Sequence, residues 1–213
     1  MHRVMMTSAA YRQSSAVREV HEKLDPENTL FSRMPLVRMD AEMLYDTLLL
    51  AAGRLDQSRF GPGDAVRTRP DGLVMPAEKA NGWRRLIYVQ QMRKKLPTHL
   101  ETFDYPQMNP NCLERRNSTV APQALHLMNN GMVQQLAEHF ARRVRKEAGD
   151  DPARQVERVY LIALSRLPSE EEKRIGREAL ARFAKEWGKD PAEKPLATFC
   201  HAIVNSAAFV YVD

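Results

Sequence analysis

At 213 residues the sequence is long enough to bury a substantial hydrophobic core. Its 43% hydrophobic and 28% charged residues are typical of a soluble globular protein and argue against wholesale disorder. The formal net charge of +5 comes from interleaved acidic and basic residues, so nucleic-acid binding is not favoured, and no apolar run is long enough to span a membrane.

The first fifty residues predict a loop followed by a helix. Residues 2–10 are typical of the end of a helix that has no start signal, which suggests that the chain begins partway through a longer protein. Residues 11–28 are polar and contain a proline, so we expect mostly loop there. Asp40 can cap a helix at about 40–52, which Gly53 would end.

The next fifty residues are irregular. Glycine and proline recur from residue 56 to residue 82, which predicts a long loop. Residues 83–90 contain β-branched and aromatic side chains typical of a short strand, although a helix continuing to Lys95 is the alternative. Prolines bracket residues 100–105, so this piece is expected to be extended and could pair with residues 83–90 as a small hairpin.

A charged loop and an apolar helix meet in residues 114–130. Ser118 or Thr119 can cap this helix, and Pro122 suits its first turn because proline has no amide hydrogen to leave unpaired. Apolar residues then recur at helical spacing, with Asp151 and Ser169 as caps. Further helices are expected at about 131–147, 152–164, 169–187 and 195–207.

The predicted fold is therefore mainly α. An irregular N-terminal part, residues 1–113, could include a short two-stranded element and precedes a C-terminal bundle of four to five helices in residues 114–213. We expect both parts to form a single domain, residues 1–213, which is a fragment of a larger protein.

The arginines before the helix are candidates for an anion site. Arg115 and Arg116, beside Asn117, could bind an anionic ligand, since guanidinium groups bind carboxylates in a forked geometry. Alternatively, these arginines pair with Glu101 or Asp104 and clamp the two parts of the chain together, and this structural role is the favoured interpretation.

Glu101 and Asp104 are also the weak candidates for catalysis, because paired carboxylates perform acid/base chemistry on glycosidic bonds. Trp83, Tyr88 and Tyr105 could stack on sugar rings, although aromatic side chains more often build a core.

The sequence predicts no metal site and no cofactor in this chain. The histidines lack metal-ligand spacing, and Cys112 and Cys200 lie too far apart in sequence to suggest a ligand pair. Two free thiols are favoured over a disulfide between these cysteines. The haem-attachment motif Cys-x-x-Cys-His is absent.

Several motifs in order resemble one known family, the domain of unknown function DUF1553. The motifs that carry this resemblance are Ser8–Ser15, Glu101–Asp104, Arg115–Thr119 followed by Pro122–Leu125, Ala163–Glu171 and Asn205–Asp213. The family forms the C-terminal piece of large planctomycete and verrucomicrobial proteins that carry a cytochrome c-like domain upstream. This chain resembles the later part of the domain.

The resemblance implies a function class but no catalytic residue. It implies a periplasmic or exported protein whose partners are the upstream domains of the same parent protein, and whose haem, if any, belongs to an upstream domain. The expected role is a non-catalytic structural or docking domain that serves polysaccharide breakdown or electron transfer. The alternative is a glycan-active enzyme domain that uses Glu101 and Asp104 as its acid/base carboxylates.

Overall fold

A computed structural model describes residues 1–92, 94–106, 115, 117–188 and 193–212. Over these residues the fold is mainly α, with a few two-stranded sheets and a C-terminal cluster of helices, which confirms the predicted fold class. The helices are α1 (His2–Thr7), α2 (Glu19–Leu24), α3 (Ala41–Ala51), α4 (Thr98–Thr102), α5 (Ala121–Asn129), α6 (Gly131–Ala148), α7 (Pro152–Leu164), α8 (Glu170–Trp187), α9 (Lys194–Val204) and α10 (Ala207–Val210). The strands are β1 (Val37–Arg38), β2 (Leu55–Asp56), β3 (Val66–Thr68), β4 (Val74–Pro76), β5 (Trp83–Arg84) and β6 (Tyr211–Val212).

The chain divides into two compact units. The smaller unit contains Met1–Arg38 and the C-terminal strand β6, and the larger unit is Met39–Val210. In the smaller unit, β1 pairs with β6 in antiparallel register. Residues 11–28 are mostly loop, as predicted, apart from α2, whose first turn carries Glu19 and Glu22 at the positive end of the helix dipole.

Helix α3 packs against α4 and α6 in the larger unit. Its buried side chains include Leu44, Leu48 and Leu49. The predicted position of this helix is confirmed, with Asp40 directly before it and Gly53, whose φ is 66°, just past its end. The predicted capping role of Asp40 is wrong, because its side chain makes no capping hydrogen bond. Arg143 of α6 donates hydrogen bonds to two carbonyls at the C-terminal end of α3, at 2.8 and 3.1 Å. A cation there complements the negative end of the helix dipole.

Two predictions for the irregular half are wrong. Residues 100–105 are not extended, because Thr98–Thr102 form helix α4, which begins directly after Pro97. The predicted hairpin is also absent: β5 pairs in parallel with β2, and a 3-10 helix at Leu86–Tyr88 follows it. Within the predicted long loop, β3 and β4 form a short antiparallel pair.

The C-terminal bundle follows its sequence signals closely. Asn130 and Asp151 accept hydrogen bonds from the first turns of α6 and α7, and Ser169 with Glu172 forms the predicted capping box of α8. Pro122 lies in the first turn of α5 as predicted. The predicted cap of α5 is wrong, because Val120 occupies that position.

Gly176 permits close packing inside this bundle. It is buried on α8, and a Cβ added there would lie 2.8 and 2.9 Å from the methyl groups of Val156 on α7. The same atom would lie 3.3 Å from the ring of Phe199 on α9. The absence of a side chain at residue 176 therefore sets the spacing of three helices.

We expect Gly176→Ala to lower the free energy of unfolding by about 1–3 kcal/mol, because overpacking outweighs the better helix propensity of alanine. The matched control is Gly131→Ala, whose Cβ would meet only the flexible end of Arg69 at 3.0 Å. Urea denaturation followed by circular dichroism measures both. A Gly176→Ala variant as stable as the wild type would contradict this packing.

Candidate functional site

Arg115 binds the start of α3. Its Nη1 and Nη2 donate to the two carboxylate oxygens of Glu42 at 2.9 and 2.8 Å, and Nη1 also lies 3.0 Å from Asp40. The hydrogen bonds with Glu42 raise the pKa of Arg115. Burial opposes ionisation of Glu42, but its hydrogen bonds with Arg115 lower the pKa of this carboxyl overall. Arg115 is therefore occupied by protein carboxylates, although not by Glu101 or Asp104.

Asp104 holds the start of α5. Its carboxylate accepts hydrogen bonds from the Ser118 amide and hydroxyl, both at 2.8 Å, and from Nε2 of Gln123 at 3.2 Å. The Gln123 side chain in turn accepts from the Val120 amide at 3.4 Å. Ser118 is therefore held by Asp104 instead of capping α5. Asp104 itself has a φ of 60°, which places it in a left-handed turn after α4.

Of the other candidates near Arg115 and Asp104, two are exposed, one is half-buried and one lies outside the described residues. Glu101 on α4 and Asn117 are exposed. Arg116 lies outside the described residues, as do residues 107–114. Tyr105 donates from its hydroxyl to Gln91 at 2.6 Å and lies beneath the Arg115 guanidinium at 5.9 Å. The arrangement links α3, α4 and α5 through polar side chains.

The remaining sugar-stacking candidates lie in a different region. Trp83 is 3% exposed and donates from its indole nitrogen to the carbonyl of Pro76 at 3.3 Å, so its ring belongs to the core. Tyr88 is half-buried, and the guanidinium of Arg84 lies 4.8 Å from its ring centre. The structure therefore does not bring these aromatic residues together as one platform.

A buried ion pair of Asp64 and Arg84 lies beside Tyr88. Arg84 donates from Nε and Nη2 to the Asp64 carboxylate at 2.9 and 2.6 Å, and both side chains are about 5% exposed or less. The Arg84 guanidinium also donates to the carbonyls of Phe60 at 2.7 Å and Pro62 at 2.6 Å. Lys79 pairs with the same carboxylate. The hydrogen bonds from Arg84 lower the pKa of Asp64.

Sequence reasoning missed this pair. Asp64 lies in a glycine- and proline-rich stretch and Arg84 lies twenty residues later in strand β5, so no local motif links them. The available signal was an acidic residue between Gly63 and Ala65 in a segment with few large apolar residues. Such a segment needs polar contacts to hold one conformation.

An open groove of about 750 Å³ lies next to the buried pair. Its lining residues are Asp46, Thr47, Leu50, Leu55, Gln57, Arg59, Phe60, Arg85, Ile87 and Tyr88. We name it the Phe60 groove. Its volume falls within the range typical of ligand sites, and its lining mixes apolar and charged groups.

The histidines and the described cysteine fit structural roles. Over the described residues, no group of three or more His, Cys, Asp or Glu side chains is arranged to hold a metal ion. His99 is hydrogen-bonded to the Ala41 carbonyl at 3.0 Å, and burial lowers the pKa of His126 to about 4. Cys200 is a buried free thiol whose pKa is raised by burial, and Cys112 lies outside the described residues.

None of the helices in the described ranges has both the length and the apolar composition needed to cross a membrane.

Asp104 holds the segment before α5 through its hydrogen bonds with Ser118. Asp104→Ala should therefore lower the free energy of unfolding by about 1–3 kcal/mol, because it leaves the Ser118 amide and hydroxyl without their acceptor. Glu101→Ala is the matched control and should change stability by less than about 0.5 kcal/mol, since Glu101 is exposed. Chemical denaturation at pH 7 measures both. Equal effects of the two substitutions would contradict the role of Asp104.

The Asp64–Arg84 pair should make stability depend on pH. The folded-state pKa of Asp64 lies below its unfolded value of 3.8, so its contribution is complete well above that value and is lost as the pH falls through the folded pKa. We expect Asp64→Asn to lower the denaturation midpoint at pH 7, because it leaves Arg84 buried without its counter-ion. The difference from wild type should shrink between about pH 5 and pH 2.

The control for this prediction is Asp71→Asn, which breaks the exposed Arg69–Asp71 pair, whose side chains are 44% and 45% exposed. Exposed pairs contribute little, so this variant should unfold near the wild-type midpoint. A pH-independent effect of Asp64→Asn, or one no larger than that of Asp71→Asn, would show that the buried pair does not stabilise the fold.

Comparison with known proteins places the chain in one family. No curated protein and no solved structure matches it. A family model described as PSD1, protein of unknown function (DUF1553), matches residues 1–180. The matched span contains Asp64, Arg84, Asp104 and Arg115, and all but the last of the motifs that carry the resemblance. The chain therefore belongs to the DUF1553 family of proteins of unknown function.

Proposed function

We propose that this chain is a non-catalytic structural or docking domain of an exported, cytochrome c-linked multidomain protein that serves polysaccharide breakdown or electron transfer. Its partners would be the upstream domains of the same protein, in the periplasm or outside the cell. A haem group, where the parent protein has one, would be bound by an upstream domain. The sequence resemblance supports the context of this proposal, and the contacts of the described residues support the structural role.

The observation that carries the proposal is the exposed apolar surface of the smaller unit. Helices α1 and α2 contain six residues each and have no buried residue. Val4, Met6 and Leu24 on these helices are exposed. Helices this short are marginal in water unless packing supports them, and their exposed apolar side chains are available to another protein surface. Contact with another domain would supply the missing burial.

The hydrogen bonds of Asp104 and Arg115 support a structural role over a catalytic one. Asp104 accepts hydrogen bonds from Ser118 and Gln123, and Arg115 is bound by Asp40 and Glu42. A carboxylate satisfied by neighbouring donors fixes a loop and has less capacity left for proton transfer. The glycan-active alternative requires Asp104 and Glu101 to act together on a substrate.

Hydrogen exchange tests the docking role. Amides of residues 2–7 and 19–24 should exchange at least about tenfold more slowly in the proposed multidomain parent protein than in the isolated 213-residue chain, because docking protects short helices. Amides of α7 in the larger unit are the internal control and should not change. Equally fast exchange of residues 2–24 in both proteins would contradict docking.

An activity screen distinguishes the glycan-active enzyme from the proposed structural or docking domain. Incubation of both proteins with a panel of polysaccharides should release no reducing ends under this proposal. Hydrolysis that is lost in Glu101→Gln and Asp104→Asn would establish the glycan-active enzyme instead, provided that both variants keep the wild-type circular dichroism spectrum.

A further inference from the structure

The Phe60 groove displays large apolar side chains to solvent. Phe60 is 81% exposed, Ile87 is 76% exposed and Leu50 is 54% exposed. Single exposed apolar residues are ordinary on protein surfaces, but these three line one groove. The groove lies wholly within the larger unit, and its role does not depend on the function proposed for the chain.

Phe60 is held in a conformation that a phenylalanine rarely adopts. Its φ is 66°, in the left-handed region that favours glycine. The carbonyl of Phe60 accepts a hydrogen bond from Nη1 of Arg84 at 2.7 Å, and Arg84 is fixed by buried Asp64. The surrounding structure thus maintains a strained backbone in order to present an aromatic ring to solvent. Strained backbone that surrounding contacts hold in place is common at functional positions.

The charges of the groove favour an acidic partner. The Asp46 carboxylate is engaged by Arg85 at 2.7 Å and by the Leu86 amide at 2.9 Å. Arg59 is exposed and makes no ion pair with any of the described residues. The lining therefore has one guanidinium whose charge is not offset, and a carboxylate at this position would complement it.

We propose that the Phe60 groove is a docking site for a polypeptide segment of a partner protein, in which a large apolar side chain lies next to a carboxylate. The apolar side chain would pack against Phe60, Ile87 and Leu50, and the carboxylate would bind Arg59. This pairing of a central apolar contact with a charge at the edge is the usual arrangement of protein–protein interfaces.

The shape and lining favour a polypeptide over a sugar or a small molecule. Small ligands are bound in concave sites that bury most of their surface, whereas Phe60 and Ile87 project into solvent. Sugars stack on flat aromatic faces, but Leu50 and Ile87 are aliphatic and one face of Tyr88 lies against Arg84. Projecting aliphatic and aromatic side chains fit the pockets of another protein surface.

The experiment selects binders from a phage-displayed library of random dodecapeptides on the full chain and measures synthetic copies by fluorescence polarisation. We expect enriched peptides to contain Asp or Glu beside an aromatic or aliphatic residue. Phe60→Gly and Arg59→Glu should each weaken their binding at least about tenfold. Phe60→Gly also relieves the positive φ, so it should unfold at the same or a higher denaturant concentration than wild type, which separates lost binding from lost folding.

The chain offers a matched control for each substitution. Phe31 is also an exposed phenylalanine with a positive φ, of 53°, and Phe31→Gly should leave binding unchanged. Arg177→Glu reverses the charge of another exposed arginine and should also leave binding unchanged. The proposal is overturned if no enriched peptide depends on Phe60, or if binders keep their affinity for Arg59→Glu. Phe60-dependent binding of an oligosaccharide panel without peptide binding would likewise replace it with a glycan site.

Discussion

The glycine- and proline-rich segment of residues 56–82 depends on one constraint, the buried ion pair of Asp64 and Arg84. Around it, the Asp64 amide donates to the Tyr88 carbonyl at 2.7 Å, and the Gln90 amide donates to the Asp64 carbonyl at 2.8 Å. A glycine- and proline-rich segment has few apolar side chains to bury, so chain entropy favours many conformations. A buried charge tolerates only geometries in which it stays paired, and this restricts the segment to one course.

Polar contacts of the same kind involve Arg115 and the residues before α5. Arg115 binds Asp40 and Glu42 at the start of α3, and Asp104 binds Ser118 ahead of α5. Acidic residues favour the positive end of a helix, so Arg115 meets carboxylates that α3 already stabilises. The arginine that first suggests an anion-binding loop is therefore satisfied by an internal anion, and its hydrogen bonds join two segments distant in sequence.

The sequence predicted those elements whose causes are local. Caps and apolar periodicity lie within each helix from residue 131 to residue 187, so these helices were found close to their observed bounds. The predictions failed where a residue distant in sequence determines the local structure. The Asp40 carboxylate does not cap α3 and instead binds Arg115, and Ser118 binds Asp104 instead of capping α5. No single-sequence pattern could reveal partners fourteen to seventy-five residues away.

The chemistry of the pair also explains why an ion pair, and not an apolar contact, occupies the region behind the Phe60 groove. Apolar side chains of similar volume could stabilise a protein as well as a buried ion pair does. They could not donate hydrogen bonds in fixed directions. One guanidinium carries five N–H donors in a plane, and Arg84 uses them to bind Asp64 and the carbonyls of Phe60 and Pro62 at once. The pair thereby fixes a left-handed backbone and, with it, the direction in which the Phe60 ring meets solvent.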